Sequence, residues 1–551
     1  MRRVSISLCL VLLMISSAWA DTYTVSPGES IQDAIDLAGP NDTIEVAAGH
    51  YEGQLHIYTE NLTIVGAGKT ATFVDSPASL PLFFGTNYPV VFIDGVDNVT
   101  ISDLTVDGLG RGDANYRFQG IAFWNSGGSL QDLHVVNIMD TPFSGAQHGV
   151  GVYAYNDTGG PYTVNITDVE IDAFQKNATA LSGDGLTANL LRVVMTGAGA
   201  TDVTAQNCIQ IGFGASGTAT DCQVYDVHYT PSSWAATGVL GYDGGTMDLD
   251  NVTVDGCGTG IDFYEISGSV DGCTVQNPYG DALYAENGGA KAGGRRTCQP
   301  FPEDRPAGTA KGAVSVVVTD SEFYGNEVVD SWGPSAYVLG PVDFVMTGST
   351  VSGWDWGMVI YESGGIATGY AHDNTLAGNT TYDAYFQMAG EFDASMNFWG
   401  GNDPHDVTGY GTKGPPKLSP WYLLPPGSIP MSWGVKGTIQ DAINAANPND
   451  TINVAAGVYD EMLNVNKPLT LNGANAGVHP VVGKHPTELV GTRGPETDLS
   501  HNGLYAMRPS ADNITVDGFL FSGDGGRIID TYADANGFHL TNCIFENDAT
   551  A

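Results

Sequence analysis

The sequence predicts an all-β solenoid opened by a short capping helix, with the start of a second, smaller unit of the same kind behind it. Three observations predict this. An opening segment occurs twice, a short strand cell recurs along the chain, and no long helical period follows either opening.

The duplicated segment runs Ser30-Ile31-Gln32-Asp33-Ala34-Ile35, then Pro40-Asn41-Asp42-Thr43-Ile44, then Val46-Ala47-Ala48-Gly49 and Tyr51. Its second copy is Thr438-Ile439-Gln440-Asp441-Ala442-Ile443, Pro448-Asn449-Asp450-Thr451-Ile452, Val454-Ala455-Ala456-Gly457 and Tyr459. Ser30 is placed to N-cap a helix, with Asp33 in a capping-box position. Ile31, Ala34, Ile35 and Ala38 then form one apolar stripe, and Pro40-Asn41-Asp42 ends the helix. Such a plug suits the open end of a solenoid, where strand edges and core would otherwise meet water.

Two cells recur after the cap. The first is Asn, apolar, Thr, apolar, at Asn61, Asn98, Asn251 and Asn513, and Asp-Gly turns follow at Asp107-Gly108, Asp255-Gly256 and Asp517-Gly518. The second is Gly followed four positions on by an aromatic: Gly120 to Trp124, Gly149 to Tyr153, Gly238 to Tyr242, Gly260 to Tyr264, Gly357 to Tyr361. Spacings on the order of 20–30 residues fit one coil per cell. The expected divisions are a leader at 1–20, a first solenoid at 21–399, a Pro/Gly-rich connector at 400–435, and a second unit at 436–551 that reads as truncated.

On these residues the chain resembles the right-handed parallel β-helix, or pectin-lyase-like, superfamily. Within it the likeness is to exported bacterial parallel β-helix repeat and NosD-like proteins. Asn397-Phe398-Trp399-Gly400, with Pro404 and Ser419-Pro420-Trp421, resembles the aromatic segment that closes coils in that group. The resemblance implies the fold and leaves activity open, because this architecture carries lyases, hydrolases, epimerases and inert scaffolds.

Charge and composition narrow the partners. The chain holds 20 basic and 62 acidic residues, a net charge of −42. A field of that sign repels nucleic acid and anionic lipid headgroups. Arg2, Arg3, the apolar run to Ile15 and Ala18-Trp19-Ala20 read as a signal peptide, and no later segment is apolar enough to span a membrane. The expected location is secreted or at the cell surface, with the periplasm as an alternative. Export permits disulfides among Cys208, Cys222, Cys257, Cys273, Cys298 and Cys543, and buried free thiols are the equal alternative. An insertion at Gly288–Gly312 concentrates Lys291, Arg295, Arg296 and Lys311.

The second cell predicts an aromatic row of Trp124, Tyr153, Tyr242, Tyr264 and Tyr361, joined by Tyr155 and by Tyr284 with Glu286. A row of rings with neighbouring carboxylates and amides suits a long glycan, and stacked rings also stabilise a coil by about 0.5–1.5 kcal/mol per pair. Asp243, Asp262 and Glu265 are the carboxylates that a glycosidase reading would use. A polysaccharide lyase reading needs a base, for which Lys176, Arg192 and His148 are the options. Asp403-Pro404-His405-Asp406 resembles an alginate epimerase tetrapeptide without its surrounding pattern, and is given no role. No metal motif is present and no cofactor is required; Asp-Gly turns offer oxygen ligands suited to Ca²⁺, without an EF-hand or nonapeptide repeat. Copper, which the NosD likeness brings to mind, has no Met- or His-rich cluster to hold it. The leading reading is a non-catalytic, exported modular scaffold contacting a polysaccharide or cell-surface glycan. The alternative is a carbohydrate-active enzyme (lyase, hydrolase or C5-epimerase) on the same fold.

Overall fold

The chain winds as a right-handed parallel β-helix, seen here in a computed structural model. The structure describes residues 20–82, 84–231, 233–287, 313–325, 334–411, 416–428, 431–436, 438–479, 494–500, 504–522, 527–531 and 535–546. The leader before residue 20, the basic insertion with Cys298, and Gly414-Pro415 of the connector lie outside the described residues.

Among the described residues, three long parallel sheets form the first solenoid. Sheet 1 runs from Thr22–Val25 to Thr368–His372 in 13 strands, and sheet 2 from Gly49–Glu52 to Thr375–Leu376 in 12. Sheet 3 runs from Leu55–Ile57 to Thr408–Tyr410 in 13 strands. Each strand pairs with its counterpart one coil away, so the ladders run along the solenoid axis. Inward positions supply a continuous apolar column from Val25 to Trp421. A second apolar cluster, from Tyr422 to Phe521, belongs to three smaller sheets, parallel except where the six-stranded one opens on an antiparallel pair, Trp421–Tyr422 with Ser432–Val435.

The two caps explain the duplication. Helix α1 (Ile31–Leu37) buries Ile31, Ala34 and Ile35, with Ser30 Oγ accepting from the Asp33 amide at 3.1 Å. Its copy (Ile439–Ala445) buries Ile439, Ala442 and Ile443. Gln32 clamps His56 by two bonds, Nε2 to the carbonyl and amide to Oε1, and Gln440 clamps Asn464 in the same way. Asp42 accepts the Asp21 and Gly39 amides; Asp450 accepts those of Met431 and Asn447. The Gln and Asp of the two copies thus repeat their bonds, whereas at the N-cap Thr438 donates its hydroxyl to the Asp441 carboxylate in place of the Ser30 cap.

The corner between sheets 1 and 2 is a column of left-handed residues. Asp103, Asp132, Asp168, Arg192, Asp221, Asn251, Asp320 and Asp373 have φ between 46° and 60°. Asp and Asn tolerate this conformation through local hydrogen bonding. Arg192 is the exception, and its guanidinium holds Asp168 by two bonds of 2.7 Å. The Asn-Thr cell serves two corners: Asn61 and Asn98 precede strands of sheet 1, whereas Asn251 precedes one of sheet 2. Both corners demand the same positive φ.

Behind this corner runs a buried polar ladder. Val252 donates its amide to Cys273 Sγ, Cys273 to Ser321 Oγ, Ser321 to Ser349 Oγ, Ser349 to Asn374 Oδ1 and Asn374 to Asn397 Oδ1. The closing segment of the sequence is therefore a junction. Asn397 ends the ladder, Trp399 lies in the first core, and Phe398 packs on the second.

Cys208, Cys222, Cys257 and Cys273 are buried free thiols, and Cys543 is a half-exposed one. Of the two readings, the described cysteines take the thiol form.

Candidate functional site

The outer face of sheet 3 gathers the predicted residues. Its strands carry a glycine near their start, at Gly120, Gly151, Gly238, Gly260 and Gly357, where the next coil passes too close for a side chain. A Cβ on Gly120 would sit 2.5 Å from the Gly151 carbonyl oxygen, and one on Gly357 2.1 Å from that of Asp383. Beyond these glycines, register places Trp124, Tyr155, Ser182, Gly212, Tyr242 and Tyr264 on successive coils, then Glu286, Leu339, Tyr361 and Gln387.

This corrects one expected position. Tyr153 pairs with Ala122 and Ala180, two positions back from the row, and Tyr155 takes its place. The glycine in register with Gly120 is Gly151, whereas Gly149 is a turn residue at φ 81°. Tyr284 also lies in the inner row, between Asp262 and Tyr337.

The rings differ in access. Tyr153 and Tyr242 are 3% and 1% exposed, while Trp124, Tyr155, Tyr264 and Tyr361 are half-buried. Two aromatic clusters stand apart from the main core. At the front, Trp124 stacks on Tyr155 at 4.9 Å and meets the covering Phe84 at 4.4 Å with the planes tilted by 42°, and Tyr153 lies 6.3 Å from Tyr155. In the middle, Tyr242 meets Phe213 edge-on at 4.7 Å and lies over Gly212. A Cβ at Gly212 would fall 2.6 Å from that ring.

Amides line the strand starts beside these rings. Gln210 Oε1 accepts from Asn177 at 2.9 Å and from Asn207 at 3.2 Å, and its Nε2 donates to Tyr242 Oη at 3.3 Å. Among the described residues, Gln119 Oε1, Asn177 Oδ1 and Thr237 Oγ1 are fully buried acceptors without a hydrogen-bond donor. Gln119, Asn177, Asn207 and Thr237 share a register but no motif, and Gln210 reaches them from three residues beyond, so the sequence reading missed this row.

The carboxylates take two places. Asp243 and Glu265 sit on consecutive coils where the strands leave the sheet, both left-handed and both buried. Asp262 lies two residues before Tyr264, facing Tyr284 on the next coil. Tyr284 donates to Glu286 Oε2 at 2.7 Å. Burial, then Glu286, Asp262 and Asp281, push its phenol far above the ordinary range, so it stays a neutral donor.

The base candidates separate. Arg192 lies at the opposite corner on Asp168. His148 is buried with both nitrogens engaged: Nδ1 accepts the Arg117 amide at 2.9 Å, so Nε2–H donates to Asp140 Oδ1 at 2.6 Å. Lys176 is fully buried with its ammonium on the Ala205 carbonyl. His148 and Lys176 both border the strand starts of sheet 3, joined through the Lys176 amide on Gly149, but as packed structure. Asp403 caps the short helix Pro404–Val407, with its carboxylate on the His405 amide and ring, which accounts for that tetrapeptide locally. Among the described residues, no group of three or more His, Cys, Asp or Glu is placed to hold a metal ion. No described helix is long and apolar enough to cross a membrane.

No family model matches the chain, and no curated protein matches it. Among solved structures it is similar to Geobacillus virus E2 ORF18, at 14% identity and a TM-score of 0.36, covering 57% of each chain. It is similar to the PL6 family alginate lyase AlyGC at 11% identity and a TM-score of 0.36, covering 96% of this chain and 76% of that one. It is also similar to pectin methylesterase PemA from Erwinia chrysanthemi, at 13% identity and a TM-score of 0.30, covering 50% and 92%. The chain thus spans little more than half the length of the first of these.

Proposed function

We propose that this chain is an exported, non-catalytic scaffold that holds a glycan along the outer face of sheet 3. One observation carries the reading. Trp124, Tyr155, Tyr264 and Tyr361 occupy one register position of one sheet and keep part of each ring at the surface. Sugar rings lay their apolar faces on such rings, while hydroxyls bond to nearby amides and carboxylates. Rings repeating at the strand spacing of about 4.8 Å, or multiples of it, suit a ligand that itself repeats along the axis.

The enzymatic alternative draws support from Asp243 and Glu265 on consecutive coils, since glycoside hydrolysis uses two carboxylates about 5–9.5 Å apart. One experiment separates the readings. The full chain is incubated with a polysaccharide panel, and retention and products are measured together. Retention without new reducing ends or an unsaturated, ultraviolet-absorbing product is the expected result. Turnover that stops in Asp243→Asn or Glu265→Gln would replace the scaffold reading with the enzymatic one, and absence of any retention would end both.

A further inference from the structure

We propose a second sugar-binding platform at the rear of sheet 3, built by Trp356, Tyr382 and Tyr385, that takes neutral sugar rings and refuses uronates. It rests on the glycan reading above and adds both a place and a ligand class.

The three rings come together from consecutive coils. Trp356 is the register partner of Tyr382, and Tyr385 that of Val359. Their centroids lie 5.7 Å (Trp356–Tyr382), 4.9 Å (Trp356–Tyr385) and 5.6 Å (Tyr382–Tyr385) apart. The planes meet at 75°, 38° and 39°, so no ring covers another face to face. All three are half-buried, and none belongs to a core cluster. The following coil passes beneath them at Gly409, where a Cβ would come within 2.6 Å of Tyr385 and 3.0 Å of Tyr382. The coil beneath thus supports the rings, and each keeps part of its surface exposed among the described residues. Beside it, Tyr385 Oη donates to Gln387 Oε1 at 3.3 Å and Gln387 Nε2 donates to Tyr361 Oη at 3.2 Å, which supplies polar groups at the edge of the rings.

Charge selects the ligand. Residues 334–411 contain nine Asp and Glu and no Lys or Arg. Asp383, two residues before Tyr385, and Asp355, before Trp356, belong to this set, and Asp355 accepts from Thr380 at 3.0 Å. A polyuronate would bring its own carboxylates beside Asp355 and Asp383, and like charges at close range are costly. A neutral pyranose offers an apolar face to Trp356 or Tyr385 and hydroxyl donors to the carboxylates.

Affinity electrophoresis of the full chain tests this. Native gels contain soluble β-glucan, xylan, galactomannan or α-glucan, or else alginate or polygalacturonate. The expected result is retardation in at least one neutral gel and none in either polyuronate gel. Trp356→Ala should weaken that retardation at least fivefold, and Tyr385→Ala keeps the test decisive if Trp356→Ala unfolds. Retardation in the polyuronate gels alone, or loss in Trp124→Ala with none in Trp356→Ala or Tyr385→Ala, would overturn the platform and leave the glycan reading standing. No retardation in any gel would overturn both.

Discussion

Asn397 Oδ1 accepts both the backbone amide of Asn374 at 2.9 Å and its side-chain amide at 3.0 Å, joining two buried asparagines one coil apart. Asn397 Nδ2 donates in turn to the carbonyls of Ala371 and Ala394, at 2.7 and 2.8 Å. Asn397→Leu leaves buried donors and acceptors unmade, each costing about 1–3 kcal/mol. The expected loss is at least about 3 kcal/mol, read as a lower urea midpoint. An unchanged midpoint would show that the ladder contributes nothing.

Thr237 offers the opposite case. Its Oγ1 is fully buried and makes no hydrogen bond among the described residues. Thr237→Val keeps the shape and removes a hydroxyl that is desolvated for nothing. Stability should rise by up to about 1–2 kcal/mol, with Thr259→Val as the comparison at the adjacent register position. A clear loss in Thr237→Val would mean that the hydroxyl has a partner.

Acid should weaken the rear of the solenoid through Asp393. Burial raises its pKa, but the His372 imidazole, Ser395 and the Lys417 ammonium outweigh that and hold it well below the ordinary carboxylate range. The stabilisation is complete above the unfolded pKa near 4 and is lost as pH falls below it. Asp393→Asn should flatten the fall in stability between about pH 5 and 2, measured by thermal unfolding at each pH. A variant that loses as much stability as the parent over that range would reject the assignment.

Thiol chemistry reports on the core. Burial raises the Cys222 thiol to about 11 and those of Cys257 and Cys273 to about 12, and holds Cys208 well above the ordinary thiol range. Thiolates are the reactive species, so these four should resist alkylation at pH 8 until the chain unfolds. Cys543, half-exposed, should react in the native state. Mass spectrometry of the five peptides before and after denaturant reads the result; rapid native labelling of Cys222 or Cys273 would contradict their packing.

The solenoid was legible because its local rules repeat in the chain. The caps could be read from Gln32, Asp42 and Tyr51, whose copies Gln440, Asp450 and Tyr459 make the same bonds. The aromatic row was legible except at Tyr153, where two glycines two residues apart compete and only register distinguishes Gly151 from Gly149. The inner ladder escaped notice because Ser321, Ser349, Asn374 and Asn397 are separated by 28, 25 and 23 residues, an uneven spacing set by corner length. Trp356, Tyr382 and Tyr385 escaped because they fall outside the glycine-aromatic cell and meet only through register. Burial of Tyr242 lies beyond any local pattern, since it depends on Phe213 and Gly212 from the preceding coil.

The ladders of the three sheets run along the long axis, each turn bonded to the one above and below. A molecule so built resists shear between faces but parts readily under axial tension, because a pull at one end loads only the outermost turn. Stretched between two anchors, it should lengthen in a staircase of small, similar force steps, one rung of the spring released at a time.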